Sequence, residues 1–281
     1  MLRAHRRRVT MRTFALTYPQ LMNQARAGPH GVAGRLESET NRAVDASGAR
    51  APAYDEPALS ELRRVYELAE RVCDGVYRPN GAPFLCHVTR TASIAMAEGR
   101  PQSVVHACLL HTVYGLRYAG GRRRWLPWLG RGDDLRKTAG AEVERLNHAY
   151  DQLAWNSRAA LREHLAALDS YDATTKEAVF MRLANELEDH LDNGKGYEKA
   201  ERLSERTERL DDCSRLAKRL GAEELARELE EVLEAAREQL PSVIVLDREL
   251  GYSVATKHLP ELTAPRRAAR RVLKRLGRWL S

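Results

Sequence analysis

The chain has 281 residues, of which 43% are hydrophobic, 30% charged and 6% aromatic, enough apolar material for one sizeable core or two small ones and too much for a disordered chain. No run of eighteen apolar residues occurs and the N-terminus lacks the order of a secretory signal, so a cytoplasmic protein without a spanning helix is expected. The net charge of +7 is uneven: residues 1–13 hold five Arg and residues 264–281 hold six Arg and one Lys, with no acid in either, so +12 at the tips leaves −5 for the body and specific nucleic-acid binding is not expected.

The predicted elements follow in chain order. A short helix near 15–26 precedes a Gly- and Pro-containing linker through residue 56, and Met11 offers a second plausible start. From Pro57 the residues Leu59, Leu62, Val65, Tyr66, Leu68, Ala69 and Val72 form an apolar stripe that ends at Gly75. Further helices are expected at about 84–98, 102–114, 139–154, 158–168, 173–192, 198–220 and 222–239. Nothing alternates with period two over a useful length. Val243-Ile244-Val245-Leu246 is too short to found a sheet, so the fold class is all-α. Residues 1–56 read as an N-terminal helix and linker, 57–195 as a helical domain, and 196–281 as a helical hairpin followed by a basic amphipathic helix. In that last helix Ala269, Val272, Leu273, Leu276, Trp279 and Leu280 share a face amid arginines, which suits an anionic membrane surface, an acidic partner or the acidic body itself.

Four cysteines, Cys73, Cys86, Cys108 and Cys213, form no CxxC pair, so reduced thiols are expected and a thiolate zinc site is not. The chemistry concentrates elsewhere. His87 lies in the helix that follows Arg78-Pro79-Asn80-Gly81-Ala82-Pro83-Phe84, His111 ends the next helix, and Asn185 lies on a third. Two histidines at the ends of neighbouring apolar helices can line an interhelical pocket, and they can equally be satisfied core residues. Arg122-Arg123-Arg124-Trp125-Leu126-Pro127-Trp128 could cover such a pocket or form a solvated loop.

The order and spacing of these segments resemble the HD-domain superfamily, and within it the hydrolase domain of the guanosine tetraphosphate synthetase/hydrolases. The likeness spans about residues 57–192: the entry from Asp74 to His87, then Ala107-Cys108-Leu109-Leu110-His111-Thr112 where that family has ALLHD, and Arg182 to Asp189 where it has KLADRLHN. An uncharacterised HD-like family is more similar still, with HSxYG in place of HD and a TYPQLYNQ-like opening that matches Thr17 to Gln24. The resemblance implies an HD-domain-like helical bundle and, in the hydrolases, a divalent metal held by two His and two Asp that activates a water. Arg78 falls where that family packs an Arg on the nucleotide base.

The departures change the expectation. His87 and His111 remain, but the two aspartates are Thr112 and Asn185, and the acidic pair after the second motif falls on Gly115 and Leu116. Each lost carboxylate forfeits roughly 8 kcal/mol of gross attraction per unit of the ion's charge at ~2 Å in an effective dielectric of about 20, before desolvation is counted. No cofactor is therefore expected. A rebuilt site would use His87, His111, Glu186 and Asp189 and hold Zn, Mn or Fe, since a helix wheel places 186 and 189 with 185 and turns 188 away. The functional expectation is a variant HD-domain protein acting on a phosphorylated or nucleotide-like small molecule. His87, His111, Tyr114 and Asn185 would be the catalytic groups, and Arg78, Thr112 and Asp189 the ligand-binding ones. Two readings stay open, an enzyme or an inactive ligand-binding module, and guanosine tetraphosphate hydrolysis is not expected.

Overall fold

The computed structural model describes residue 12 and residues 14–28, 53–78, 81–114, 131–155, 157–191 and 200–239. Over these the chain is all-α, with no strand among the described residues beyond an isolated bridge between Tyr77 and Pro83. The helices are α1 (Tyr18–Ala27), α2 (Glu56–Cys73), α3 (Phe84–Ala97), α4 (Gln102–Leu110), α5 (Arg131–Ala139), α6 (Ala141–Gln152), α7 (Arg158–Ala167), α8 (Ala173–Leu191), α9 (Ala200–Arg219) and α10 (Glu223–Gln239). None of those searched is long and apolar enough to cross a membrane. The Arg6–Arg8 cluster, most of the 27–56 linker, Gly115 and Leu116, the Arg122–Trp128 segment, Val243–Leu246 and the basic stretch 264–281 lie outside the described residues.

Two expectations need correction. The helix expected over 102–114 ends at Leu110, and His111 to Tyr114 form a turn closed by Val113 N–H donating to Leu110 O at 2.9 Å. Helix α5 is not among the expected helices, because Leu135 and Ala139, the buried apolar residues among its described side chains, are too few to set a period. Gly140, at φ +92°, then reverses the chain into α6.

Helix α2 begins on Asp55, whose carboxylate accepts from Ala58 N–H at 2.9 Å, with Pro57 in the first turn. Its stripe from Leu59 to Val72 is buried as the sequence pattern requires. The centre of the molecule is α3, α4 and α8, which bury Val88, Ala92, Ile94, Val105, Cys108, Leu110, Val179, Phe180, Leu183 and Leu187. Helices α2 and α6 flank them, and α7, α9 and α10 extend the same core through Leu210, Leu216, Leu225 and Leu229. The α9–α10 hairpin turns at Gly221, φ +70°, as the leucine spacing predicts.

The N-terminal segment is part of this core. Gln20 Oε1 accepts from the N–H groups of Leu16 and Thr17, capping α1. Gln24 is sealed against α3: its amide donates to Ser93 O at 3.0 Å and accepts from Ser93 Oγ at 2.6 Å, while Ser93 Oγ accepts from Ala15 N–H at 2.8 Å. The Thr17–Gln24 motif thus has a physical reading as a cap followed by a buried latch. Gln24→Leu is expected to lower the unfolding free energy by about 2 kcal/mol in urea denaturation, because buried groups of Ser93 lose their partners. A change below about 0.5 kcal/mol would show that the latch carries no weight.

Candidate functional site

The site begins with a tight reversal before α3. Phe84 N–H donates to Val76 O, Arg78 N–H to Ala82 O and Gly81 N–H to Arg78 O, each at 2.9 Å, and Gly81 takes φ +84°. The reversal folds Arg78 back over the first turn of α3, beside His87. Helix α4 packs along α3 and ends at His111, so that His87 Nε2 and His111 Nε2 stand 3.2 Å apart with ring planes at 67°. Both rings are buried, each 4% exposed.

Helix α8 supplies the charge. Arg78 Nη1 donates to Glu188 Oε2 at 2.6 Å and Arg78 Nη2 to Asp189 Oδ1 at 2.7 Å, while Arg90 Nη1 reaches Glu188 Oε1 at 3.4 Å. Glu188 is 1% exposed, and its Oε2 also touches His87 Nδ1. On the other side of the pair, the Tyr150 ring packs edge-on to His111 at 5.1 Å. The Arg182 guanidinium covers Tyr150 at 3.7 Å and donates to its backbone oxygen at 2.6 Å.

The hydrogen bonds assign the tautomers. His111 Nδ1 donates to Cys108 O at 2.6 Å, which leaves His111 Nε2 as the acceptor. Its facing partner, His87 Nε2, must then carry the proton. On its other side His87 Nδ1 lies between the Arg78 guanidinium, 3.0 Å from Nη1, and the carboxylate of Glu188. Burial, with the neighbouring His87 adding to it, lowers the His111 pKa to about 3 and keeps that ring neutral. Burial likewise raises the Tyr150 phenol to about 12.

Of the residues singled out in the sequence, Arg78, His87, His111 and Asp189 come together. Tyr114 does not join them. Its hydroxyl donates to Glu144 Oε1 at 3.0 Å on α6, because the turn after α4 carries it away from His111. The aromatic residue against His111 is Tyr150 instead. Asn185 is half-buried and makes no side-chain hydrogen bond among the described residues, and Thr112 Oγ1 is buried without a partner there. Glu186 is a second correction: it faces Trp155, Arg209 and His190, with Trp155 Nε1 donating to Glu186 Oε2 at 3.4 Å. At 100° per residue, 188 and 189 stand 60° and 40° from 185, whereas 186 stands 100° away, so the expected wheel had Glu186 and Glu188 exchanged.

The divalent ion implied by the resemblance does not fit these residues. On the Nε2 side of the pair, where that ion would sit, Thr112 and Asn185 bring no charge. The carboxylates stand on the opposite, Nδ1 side of His87, with Arg78 between them. No protein-family model and no curated protein matches this chain.

Proposed function

We propose that this chain is a metal-independent variant of the HD-like helical proteins. It binds a phosphorylated or nucleotide-like small molecule at Arg78, Asp189 and Asn185, and uses the His87–His111 pair as its acid and base. The observation that carries the reading is the buried hydrogen bond from His87 Nε2 to His111 Nε2. Such a bond holds one transferable proton between two imidazoles, and acid/base catalysis requires such a proton and no metal. Arg78 supports the ligand class, since its guanidinium is a planar fork of donors matched to oxyanions, for which a phosphate would compete with Glu188 and Asp189. The orphaned hydroxyl of Thr112, next to His111, offers a further donor.

A second reading, an inactive binding module, is favoured by the completeness of the pair, since each imidazole already has partners on both nitrogens. Thermal unfolding with inorganic phosphate, nucleotides, sugar phosphates and guanosine tetraphosphate tests both. A phosphorylated compound is expected to stabilise the protein, by about 2.7 kcal/mol at a hundred times its dissociation constant, and Arg78→Met to abolish the effect. If no phosphorylated compound stabilises the protein, both readings fall. Turnover of the stabilising compound that is lost in His111→Gln, with binding kept, identifies an enzyme, and absence of turnover in the unmodified chain identifies the module. Manganese-dependent release of pyrophosphate from guanosine tetraphosphate is expected to be absent, and its detection would overturn the metal-independent reading.

A further inference from the structure

The two rings of the pair take part in three hydrogen bonds. His111 Nδ1 donates to Cys108 O, His111 Nε2 accepts from His87 Nε2, and His87 Nδ1 meets Glu188 Oε2. A neutral imidazole carries one N–H, so two neutral rings bring two protons. The first two bonds use both of them, one on His111 Nδ1 and one on His87 Nε2. The bond to Glu188 therefore needs a proton of its own. Glu188 enters that contact as an acceptor: Arg78 Nη1 donates to its Oε2 at 2.6 Å and Arg90 Nη1 to its Oε1 at 3.4 Å. The 3.0 Å between Arg78 Nη1 and His87 Nδ1 is then the approach of two donors that share Glu188 Oε2.

We propose, on the reading of the pair as acid and base, that Glu188 is its positioning residue: it holds a third proton on the pair, at His87 Nδ1, and so makes His87 the acid and His111 the base. Glu188 and both rings are buried, so the positive charge that this proton gives His87 has its counter-charge in contact with it. His111 meets a backbone carbonyl where His87 meets a carboxylate, and burial keeps it neutral. A general acid and a general base act together only when one is protonated while the other is bare, and this asymmetry supplies that condition. His87 Nε2 can release its proton and remain a neutral ring, with Nδ1–H still donated to Glu188. His111 Nε2 can take that proton up with Nδ1–H still donated to Cys108 O, so one N–H bond breaks as another forms and the pair keeps three protons. Glu188 acts through His87 in this scheme, by fixing where its proton lies.

Long-range proton–nitrogen correlation NMR of the full chain at pH 7, with its histidines isotopically labelled, counts these protons, because protonated and bare ring nitrogens resonate far apart. The two rings are told from the other histidines by their through-space contacts, His87 with the Phe84 ring at 4.9 Å and His111 with the Tyr150 ring at 5.1 Å. The unmodified chain is expected to show two protonated nitrogens on His87, and one protonated and one bare nitrogen on His111. Glu188→Gln keeps the size of the side chain and removes its charge, and it is expected to bare His87 Nδ1 and leave His111 as it was. A bare nitrogen on His87 in the unmodified chain overturns the proposal, and that measurement needs no variant to fold. Two protonated nitrogens that persist on His87 in Glu188→Gln overturn it as well, since something other than the carboxylate would then hold the proton. The spectra need neither ligand nor turnover. Failure of the acid–base reading therefore shows separately, as a stabilising compound that the unmodified chain does not turn over.

Discussion

Replacing Arg12 by methionine is expected to lower the unfolding free energy by about 3–5 kcal/mol. Arg12 donates through Nε to Glu228 Oε1 at 2.7 Å and through Nη2 to Glu228 Oε2 at 2.8 Å, and Nη2 also reaches Glu98 Oε1 at 2.5 Å. Glu228 is fully buried and the Glu98 side chain nearly so. Methionine keeps most of the stem's packing and leaves two carboxylates inside the fold without their guanidinium. The pH dependence separates this cause from lost packing. Burial raises the Glu98 pKa and Arg12 opposes the rise, so in the variant it rises further above its unfolded value. The folded variant then binds the proton before the unfolded chain does, and its deficit shrinks as pH falls from 7 to 5. Urea titrations at the two pH values check this. A loss below about 1 kcal/mol, or one that does not vary with pH, would mean that Arg12 makes only an ordinary surface pair.

The same contact shows why residue 12 and residues 14–28 belong to the folded body. Glu98 closes α3, the helix that opens with Phe84 and His87, and Glu228 lies in α10. One guanidinium joins the end of the helix that bears the site to the C-terminal hairpin, and Gln24 fastens α1 to the middle of the same helix. The site geometry depends on where α3 stands, so the N-terminal segment acts on it by position without touching it.

Much of this was legible in the sequence for identifiable reasons. Helices such as α2 and the α9–α10 hairpin carry apolar residues at three- and four-residue spacing over four or more turns, and their boundaries fall close to Pro57, Gly75 and Gly221. Helix α5 escaped because two buried residues set no period. In the site, Arg78, His87 and His111 were visible as rare polar residues beside apolar helices. Glu188 was legible in principle, since the helical angle of 100° per residue already places it closer than Glu186 to residue 185. Tyr150 and Arg182 were not. Each lies on a helix whose pattern gives no sign that its neighbour across the interface is His111, and only the packing of α4 against α6 and α8 brings them together.

Acid is expected to destabilise the chain well before its carboxylates titrate, by about 4 kcal/mol between pH 7 and pH 5. Two buried imidazoles carry the effect. His106 faces α2 with Gln102 at 3.5 Å, and burial, with Arg64 adding to it, lowers its pKa to about 4. His111 is lowered to about 3 by burial and by His87. In the unfolded chain both titrate near 6.5, so below that pH the unfolded state binds more protons and stability falls. The loss continues until the pH passes each folded value. One and a half pH units at about 1.4 kcal/mol per unit give about 2 kcal/mol for each ring at pH 5. Glu98 and Glu177, raised by burial and restrained by Arg12 and Arg100, act with the opposite sign and blunt the decline. Urea midpoints at pH 7, 6 and 5 measure the slope, and His106→Gln, neutral throughout, is expected to remove about half of it. A flat profile, or an unaltered slope in His106→Gln, would mean that these rings take up protons inside the fold and that the interior around them admits water.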